Sequence, residues 1–493
     1  MTARIPHWSN GKAWEGTADV WAEVTNPATG EVSGQVALAC QADADHIIAA
    51  AVRGAEQWAA TSVARRTQVL FAFRELLDAG AGELAAILTA EHGKRTADAL
   101  GELARGQEVV ELACGVGHLL KGAHSHGVST GVDVHSRREP VGVVAVISPF
   151  NFPAMVPMWF FPLALAAGNA VVLKPSEKDP SAALWMARKL QEAGLPDGVF
   201  NVLQGDKTAV DALLNSPDVA AVSFVGSTPV ARYVYERGTA SGKRVQALGG
   251  AKNHMVVLPD ADTDLAADAV VGAGYGSAGE RCMAISVLVA VDPVGDDLVE
   301  RVAERTRALV TGDGDTDMGP LITRAHRDRV IGLIDGGEQA GAKVMVDGRG
   351  IDRDGFWLGP TLFDQVTPEM EIYTEEIFGP VLSVVRVPSY DAAVALVNAS
   401  PYGNGVAVFT RDGGAARRFE QDVQVGMVGV NVAIPVPVAY HSFGGWKASL
   451  FGDTHAYGTD GIHFFTRAKV VTSRWPDPAD DPRGVELGFP SHD

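Results

Sequence analysis

The chain has 493 residues, of which 46% are hydrophobic and 20% charged, which is the composition of a globular protein of two or three domains. Its formal charge of −19 argues against non-specific binding to nucleic acid, and no apolar run reaches the ~18 residues of a membrane-spanning helix. Its N-terminus lacks the layout of a secretory signal and its three cysteines form no CxxC pair, so we expect a cytoplasmic protein without nucleic-acid or membrane partners.

The hydrophobic pattern changes several times within the first 150 residues. Residues 1–40 combine turns with short strands. Residues 43–121 repeat apolar side chains at i, i+3, i+4 and i+7, which predicts amphipathic helices. The charged, alternating stretch at 125–140 is typical of an exposed hairpin, and the apolar run Val141–Ser148 is typical of a buried parallel strand.

Strands and helices then alternate in two blocks. In the first, at about 168–240, each short apolar strand precedes a helical pattern, which predicts a parallel sheet with helices on its faces. A second α/β block runs from 251 to 438. The stretch 461–475 is typical of one more strand, and the Pro- and Asp-rich end after it either docks on a partner subunit or lies loose.

One strand-to-helix turn offers a phosphate site. Gly226, Ser227 and Thr228 lie where the first N–H groups of a helix are unpaired and attract anions. The usual G-x-G-x-x-G fingerprint is absent, so these residues alone fit a plain turn equally well.

A second nucleotide signal lies at the end of an earlier strand. Lys174 and Glu177 follow an apolar run, and an acid at such a position binds ribose hydroxyls in nucleotide folds. A carboxylate there also repels a 2′-phosphate, which favours NAD over NADP. Taken alone, the segment is equally well explained as a charged loop in solvent.

Six motifs occur in the order and with the spacing of one known family. They are SPFNFP (148–153), LKPSE (173–177), FVGST (224–228), GERC (279–282), MGPLIT (318–323) and EEIFGPVL (375–382). With these motifs the chain resembles the aldehyde dehydrogenase superfamily over most of its length. The resemblance implies an α/β fold with a Rossmann-type NAD-binding domain, an α/β catalytic domain and a small β hairpin for oligomerisation.

The same resemblance implies a division of the chain. The NAD-binding domain would comprise 1–124 and 141–250, the catalytic domain 251–440, and the oligomerisation hairpin and tail 125–140 and 460–493. The hairpin and late strand imply at least a dimer, and the family's architecture implies a homotetramer built as a dimer of dimers.

Motif matching also assigns site residues. Cys282 would be the nucleophile that attacks the aldehyde carbon, and Asn151 would donate its side-chain amide to the oxyanion. Without the family, Cys282 is more often explained as a buried inert cysteine and Asn151 as a turn residue. The residues that the resemblance assigns to NAD binding are Phe150, Lys174, Glu177, Gly226, Ser227, Glu376 and Phe378.

The chain departs from most of the family at the general base. Hydrolytic members carry a glutamate in ELGGK that activates water against the thioester. Here the stretch reads QALGGAKNH, which places Ala247 at the glutamate position when the glycines are matched and Leu248 when Lys252 is matched. Neither side chain can accept a proton, and loss of a general base typically removes ~10²–10⁴-fold of rate.

A thiol acceptor resolves this departure. Coenzyme A attacks a thioester far better than unactivated water does, and GGAKNH with RCMAIS resembles the CoA-acylating branch of the family, the methylmalonate-semialdehyde dehydrogenases. The resemblance implies oxidation of methylmalonate or malonate semialdehyde to propionyl-CoA or acetyl-CoA with loss of CO₂. Two departures lie near the substrate entrance: Glu280 replaces the more usual glutamine, and Gly444–Trp446 replaces Thr-Gly-Asn.

Such a substrate carries a carboxylate, which needs cationic partners. Arg281 lies beside the nucleophile and would also favour its thiolate, and Arg105 matches an arginine on the helix that lines the family's substrate pocket. A solvated helix arginine is the alternative interpretation of Arg105.

Two other functions compete with this hypothesis. A hydrolytic aldehyde dehydrogenase that recruited another base would give a free acid without CoA. A non-catalytic scaffold on the same fold would be expected to have lost at least one of Cys282, Asn151, Glu376 and Glu177, and all four are present.

Overall fold

The computed structural model describes residues 3–314 and 316–475 of the chain. The Pro- and Asp-rich tail at 476–493, and with it the prediction that this tail docks or lies loose, falls outside the described residues. Within the described part, no helix is long and apolar enough to cross a membrane.

The N-terminal region consists of five short strands followed by four helices. Strand β5 lies between β1 and β4, while β2 and β3 extend a larger sheet formed later in the chain. The elements are β1 (Ala3–Ile5), β2 (His7–Ser9), β3 (Lys12–Trp14), β4 (Trp21–Thr25), β5 (Val32–Ala37), α1 (Gln41–Ala59), α2 (Val63–Ala79), α3 (Ala81–His92) and α4 (Thr96–Cys114).

A hairpin separates this helical region from the first α/β block. It consists of β6 (His124–Ser129) and β7 (Val132–Pro140), which pair antiparallel. The block continues with β8 (Val143–Ile147), α5 (Met155–Ala167), β9 (Ala170–Lys174), α6 (Ser181–Glu192), β10 (Phe200–Val202), α7 (Lys207–Asn215), β11 (Val219–Val225), α8 (Thr228–Ala240) and β12 (Arg244–Leu248).

These strands form a sheet that is parallel at its centre. Strands β12, β11, β8, β9 and β10 are neighbours in that order, and the pairs among them are parallel. Because the carboxyl ends of parallel strands lie at one edge, the loops after β8, β9 and β11 meet there. Every residue of α5 is buried against this sheet and the N-terminal helices.

The second block forms a seven-stranded sheet of its own. Its order is β15-β16-β17-β14-β13-β19-β20, and β13, β14, β17 and β19 are parallel neighbours. Its elements are β13 (Asn253–Val257), α9 (Thr263–Tyr275), β14 (Ile285–Val291), α10 (Gly295–Ala308), α11 (Arg324–Gln339), β15 (Lys343–Val346), β16 (Thr361–Asp364), α12 (Glu371–Thr374), β17 (Val381–Val387), α13 (Tyr390–Ala399), β18 (Tyr402–Gly403), β19 (Gly405–Phe409), α14 (Gly413–Asp422) and β20 (Met427–Val430).

The last described segment returns to the earlier parts of the chain. It contains β21 (Trp446–Lys447), β22 (Leu450–Phe451), α15 (Gly458–Phe464) and β23 (Thr466–Arg474). Strand β22 pairs with β12 at the edge of the first sheet, and β23 pairs with β7 along nine residues. The hairpin and the last strand thus form one three-stranded sheet, in which β23 is an edge strand. The predicted domain boundaries stay a prediction.

Candidate active site

Cys282 lies in a short irregular segment between α9 and β14. A 3₁₀ turn at Gly276–Gly279 leads into it, and Ser277 within that turn has a φ of 53°, which is uncommon for a residue with a side chain. The carbonyl oxygen of Cys282 accepts hydrogen bonds from the side-chain amides of Asn253 and Asn404, at 2.9 and 3.1 Å. These bonds from β13 and from the start of β19 fix the backbone that carries the thiol.

Two cavities meet at Cys282. The first has a volume of about 570 Å³ and includes the turn between β11 and α8, so we call it the turn cavity. The second has a volume of about 420 Å³ and contains two arginines, so we call it the arginine cavity. Cys282 lines both cavities and so lies at the junction between them.

The turn cavity brings together most of the predicted site residues. From the predicted set it is lined by Phe150, Asn151, Gly226, Ser227, Cys282, Glu376 and Phe378. These residues come from both sheets, so the cavity lies between the two α/β blocks. Lys174 and Glu177 are not among its lining residues.

Asn151 lies in the loop after β8. The side-chain amide nitrogen of Asn151 donates to the backbone carbonyl of Glu280 at 3.0 Å. The backbone carbonyl of Asn151 accepts from the ammonium group of Lys94 at 2.7 Å. A side-chain amide has two N–H donors, so this hydrogen bond leaves a second donor for another acceptor. Asn151 is thus tied to the segment that carries Cys282.

The thiol of Cys282 is held in its neutral form. Its pKa is raised to about 12, mainly by burial and also by the negative charge of Glu376, while hydrogen bonds from the backbone at Cys282 and Met283 and the charge of Arg281 act in the opposite direction. The sequence-based expectation that Arg281 favours the thiolate has the right direction, but burial outweighs it. The thiol of Cys282 is therefore predominantly protonated at neutral pH.

Gly226 and Ser227 end β11 and precede α8. A Cβ atom on Gly226 would lie 2.5 Å from the ring of Phe224, so the turn requires glycine. Ser227 is the N-cap residue of α8, yet its side chain makes no capping hydrogen bond. The first turn of α8 therefore presents N–H donors to the cavity.

Glu376 and Phe378 face this turn from the second block. One carboxylate oxygen of Glu376 accepts from the backbone N–H of Ala251 at 2.8 Å, and burial raises the pKa of this carboxyl to about 7. Phe378 has a φ of 56°, and its ring meets that of Phe150 edge-on with the centroids 5.8 Å apart. The strained backbone at Phe378 indicates a position that is held by its surroundings.

Three donors that the sequence analysis missed hold this segment. Lys252 donates to the carbonyls of Ile372 and Glu375, at 2.7 and 2.6 Å. Arg329 and His326 bind further carbonyls along the same segment, among them those of Glu376 and Phe378. Lys252 lies in the GGAKNH motif, which indicated the missing base and the resemblance to the CoA-acylating branch but not the role of this lysine.

Lys174 and Glu177 form an ion pair at the end of β9. The two charged groups are 3.2 Å apart, and β9 is the direct neighbour of β8 in the sheet. Burial lowers the pKa of Lys174, while for Glu177 the effect of burial is outweighed by the lysine charge and hydrogen bonds, so its pKa is lowered. The pair thus lies at the same sheet edge as the turn cavity but beyond its lining.

Arg281 and Arg105 line the arginine cavity, and each already has an acidic partner. The guanidinium of Arg281 is 3.0 Å from Asp98, and that of Arg105 is 2.9 Å from Glu108. Arg105 also donates to the carbonyl of Pro437 at 3.0 Å. The rest of the lining is largely apolar and includes Phe152, Met155, Trp159, Ile434, Val436 and Phe443.

The position of the missing base is filled by apolar side chains. Ala247 and Leu248 are buried in β12, paired with β11 and β22, and neither lines the turn or arginine cavity. The carboxyl groups that the structure places in the lining of these two cavities belong to Asp98, Glu102, Glu375 and Glu376. Asp98 and Glu102 are paired with Arg281 and Lys94, respectively.

Comparisons with known proteins identify the family. The profile described as "Aldehyde dehydrogenase family" matches residues 14–471. A malonate-semialdehyde dehydrogenase from Pseudomonas aeruginosa is 55% identical over 478 residues, which cover 95% of this chain and 96% of the relative. The chain belongs to the aldehyde dehydrogenase family, and the predicted fold class is confirmed.

Two solved structures match the chain along nearly its whole length. The crystal structure of a methylmalonate-semialdehyde dehydrogenase from Oceanimonas doudoroffii is 54% identical with a TM-score of 0.96, and the match covers 97% of this chain and 99% of that one. A structure from Sinorhizobium meliloti, named for the same activity and complexed with NAD, is 52% identical with a TM-score of 0.96 and covers 98% and 100%.

Proposed function

We propose that the chain catalyses the NAD-dependent, CoA-acylating oxidation of malonate or methylmalonate semialdehyde to acetyl-CoA or propionyl-CoA, with loss of CO₂. The observation that carries this proposal is the position of Cys282, shared by a cavity with a glycine turn and a cavity with two arginines, while an apolar residue, Ala247 or Leu248, fills the position of the base. The names of the relatives, malonate- and methylmalonate-semialdehyde dehydrogenase, support it.

The turn cavity has the donors and acceptors that NAD needs. The first turn of α8 with Gly226 and Ser227 suits a pyrophosphate, and the carboxylate of Glu376 suits ribose hydroxyls. Phe150 and Phe378 supply apolar surface for a nicotinamide ring. Lys174 and Glu177 would hold the adenine ribose at the neighbouring strand end. The NAD complex of the Sinorhizobium relative supports this assignment.

Asn151 and Cys282 perform the first half of the reaction. The Cys282 thiol gives up its proton to solvent and its sulfur bonds to the aldehyde carbon. The C=O π pair moves to the oxygen, and this oxyanion accepts a hydrogen bond from the second N–H of the Asn151 side chain. The carbonyl then re-forms as hydride leaves, so that Cys282 carries the acyl group as a thioester. NAD⁺, when bound, supplies the hydride acceptor.

Arg281 and Arg105 would bind the substrate carboxylate. Burial lowers the pKa of Arg281, but a guanidinium stays charged, and it can bind a carboxylate in a bidentate manner. Both arginines would have to share their donors between the substrate and their acidic partners, Asp98 and Glu108. Apart from the two arginines, Asp98 and Glu102, the cavity is lined mainly by apolar side chains, which favours a short substrate with few other polar groups.

Coenzyme A would complete the reaction. Its thiol sulfur bonds to the acyl carbon of the thioester, the Cys282 sulfur leaves, and the proton of the attacking thiol ends on Cys282. Loss of the β-carboxylate as CO₂ leaves an electron pair that the neighbouring thioester carbonyl stabilises and that takes up a proton from solvent. Transfer to a second thiol needs no base at position 247 or 248, which is why the apolar residues there are compatible with activity.

Two further features of the proposal concern assembly and location. Strand β23 is an edge strand, and Val470 on it is 65% exposed, so we propose that β23 and the hairpin pack against a second copy in a homotetramer. A catalytic thiol must remain reduced, which supports a cytoplasmic location.

Product analysis with and without CoA tests the proposed function. Enzyme, NAD⁺ and malonate semialdehyde should give one rapid equivalent of NADH without CoA and continuous NADH formation with CoA, with acetyl-CoA and CO₂ as products. Equal steady-state rates in the absence of CoA, with a free acid as product, would contradict the proposal and support the hydrolytic alternative.

A further inference from the structure

A buried ion pair lies behind the active-site loop. Lys94 is 2% and Glu102 3% exposed, and the lysine nitrogen is 2.5 Å from one carboxylate oxygen. Burying two charges carries a large desolvation cost, so such a pair is weak support for a role in stability alone. The question is therefore what else the pair contacts.

Both partners bind the loop that carries Asn151. Lys94 donates to the Asn151 carbonyl at 2.7 Å. The second carboxylate oxygen of Glu102 accepts from the backbone N–H groups of Ala154 and Met155, at 2.8 and 3.0 Å, where α5 begins. The ion pair thus fixes the loop at Asn151 and again three to four residues later.

Glu102 is the acidic partner of Lys94, because the other buried acidic side chains nearby favour their neutral forms. Asp179 is buried nearby, and burial raises its pKa well above its usual range, which favours its neutral form. Burial also raises the pKa of Glu280, another buried acidic side chain close to Lys94, well above its usual range. The hydrogen-bonded counter-ion of Lys94 is therefore the carboxylate of Glu102.

We infer that the Lys94–Glu102 ion pair positions Asn151 in the oxyanion site. The backbone of Asn151 is held by the pair, and its side chain is held by the Glu280 carbonyl next to the catalytic segment. Glu102 lies on α4 with Asp98 and Arg105, so one helix supports the oxyanion donor and carries residues of the arginine cavity. This inference rests on the proposed role of Asn151 in the first half of the reaction.

The test measures the first NADH equivalent in the E102Q variant. Glutamine can still accept from Ala154 and Met155, but it removes the negative charge that faces Lys94. We expect first-turnover NADH formation to slow about tenfold or more, because small misplacements of a catalytic group cost that much, with NAD affinity unchanged. The matched control is E192Q, which removes the same charge from an exposed pair with Lys189.

A double-mutant cycle separates positioning from general damage. The variants are N151A, E102Q and the combination of both. If Glu102 acts through Asn151, the Glu102 substitution should change the N151A rate by less than about twofold. A similar loss from E102Q in the wild-type and N151A backgrounds would overturn the inference.

Two further measurements make the result interpretable if a variant does not fold or if the CoA requirement fails. If the melting temperature shows that E102Q does not fold, E102D and E102A replace it. E102D keeps the charge on a shorter side chain, so it should retain more first-turnover activity than E102A. Equal rates for these two variants would overturn the inference. The first NADH equivalent needs no CoA, so a failure of the CoA requirement leaves this test intact. Unchanged first-turnover activity in N151A would instead overturn both the assigned role of Asn151 and the inference.

Discussion

The side-chain amide nitrogen of Asn151 lies 3.0 Å from the carbonyl oxygen of Glu280, two residues before Cys282. This bond joins the proposed oxyanion donor of one α/β block to the nucleophile segment of the other. The orientation of the amide is therefore set before a substrate arrives, which is the condition for electrostatic stabilisation of a developing charge.

Replacing Asn151 should slow the first half of the reaction. We expect N151A and N151D to reduce first-turnover NADH formation by ~10²–10³-fold, because one oxyanion donor is lost in each. Rapid mixing with NAD⁺ and malonate semialdehyde measures this rate, and NAD titration checks that cofactor affinity is retained. A loss below threefold would contradict the assigned role.

Arg281 should matter for substrates that carry a carboxylate. The R281M variant is expected to lose about 10–100-fold in kcat/KM for malonate semialdehyde, since a charged hydrogen bond contributes ~1.5–3 kcal/mol, and to lose little for propanal. Arg95 also binds Asp98 but does not line the arginine cavity, so R95M is the control. An equal loss for both aldehydes would show that Arg281 does not recognise the carboxylate.

The pH dependence of Cys282 alkylation follows from its buried state. With a pKa raised to about 12, mainly by burial, the thiolate fraction of the free enzyme should rise about tenfold per pH unit from pH 8 to 10 without a plateau. Alkylation by iodoacetamide, followed by mass spectrometry of the Cys282 peptide, measures this. A plateau near pH 9 would indicate an ordinary thiol.

Glu376 should modulate this reactivity. Its charge raises the pKa of Cys282, and its own pKa is raised to about 7 by burial, so E376Q should alkylate faster than wild type above pH 7 and equally fast well below it. The control is E375Q, since Glu375 lines the same cavity but is not among the groups that shift the Cys282 pKa. An identical pH profile for E376Q and wild type would contradict this coupling.

The parts of the fold that were predicted correctly are those with local signals. The pattern TPVARYVYERGTA predicts the helix that the structure has as α8, Thr228–Ala240, because Pro229 marks its first turn and its apolar residues repeat with helical spacing. In contrast, α5 was not predicted. All of its residues are buried and it contains prolines, so it has no polar face from which a helical period can be recognised.

The residues of the candidate site likewise divide into those that the sequence predicts and those that it does not. The motif residues could be placed from the sequence because each motif is contiguous. Lys94 and Glu102 could not, since their side chains look like surface charges, and Lys94 contacts Asn151 across 57 positions of the chain. Burial and long-range pairing decide the role of such residues, and neither is readable from one sequence.

A buried histidine should make the N-terminal region sensitive to acid. Burial lowers the pKa of His7 to about 4, and its Nδ1 accepts from the backbone N–H of Gln204 at 3.1 Å. The folded state binds this proton less readily than the unfolded state, whose pKa is 6.5, so stability is full above pH 6.5 and falls by about 3 kcal/mol as the pH drops to 4.

Melting temperatures between pH 7 and 4 test this effect. H7Q keeps an acceptor for Gln204 but cannot take up the proton, so its melting temperature should fall less over this range than that of wild type. The exposed His118 provides the control H118Q. Parallel curves for wild type and H7Q would show that His7 does not contribute to acid sensitivity.

Restoring a carboxylate at the base position should open a hydrolytic route. Ala247 lies two residues before Gly249 and three before Gly250, which line the turn cavity, so A247E places a proton acceptor on the strand that leads into that cavity. We expect CoA-independent turnover to rise at least ~10-fold, while A247Q, of the same size but without basicity, should not change it. Because Ala247 is fully buried, the new side chain costs stability, and melting temperatures must confirm that both variants fold.

L248E tests the alternative alignment in the same way. If neither glutamate variant hydrolyses the thioester faster than its glutamine counterpart, the missing base is not what prevents water from replacing CoA.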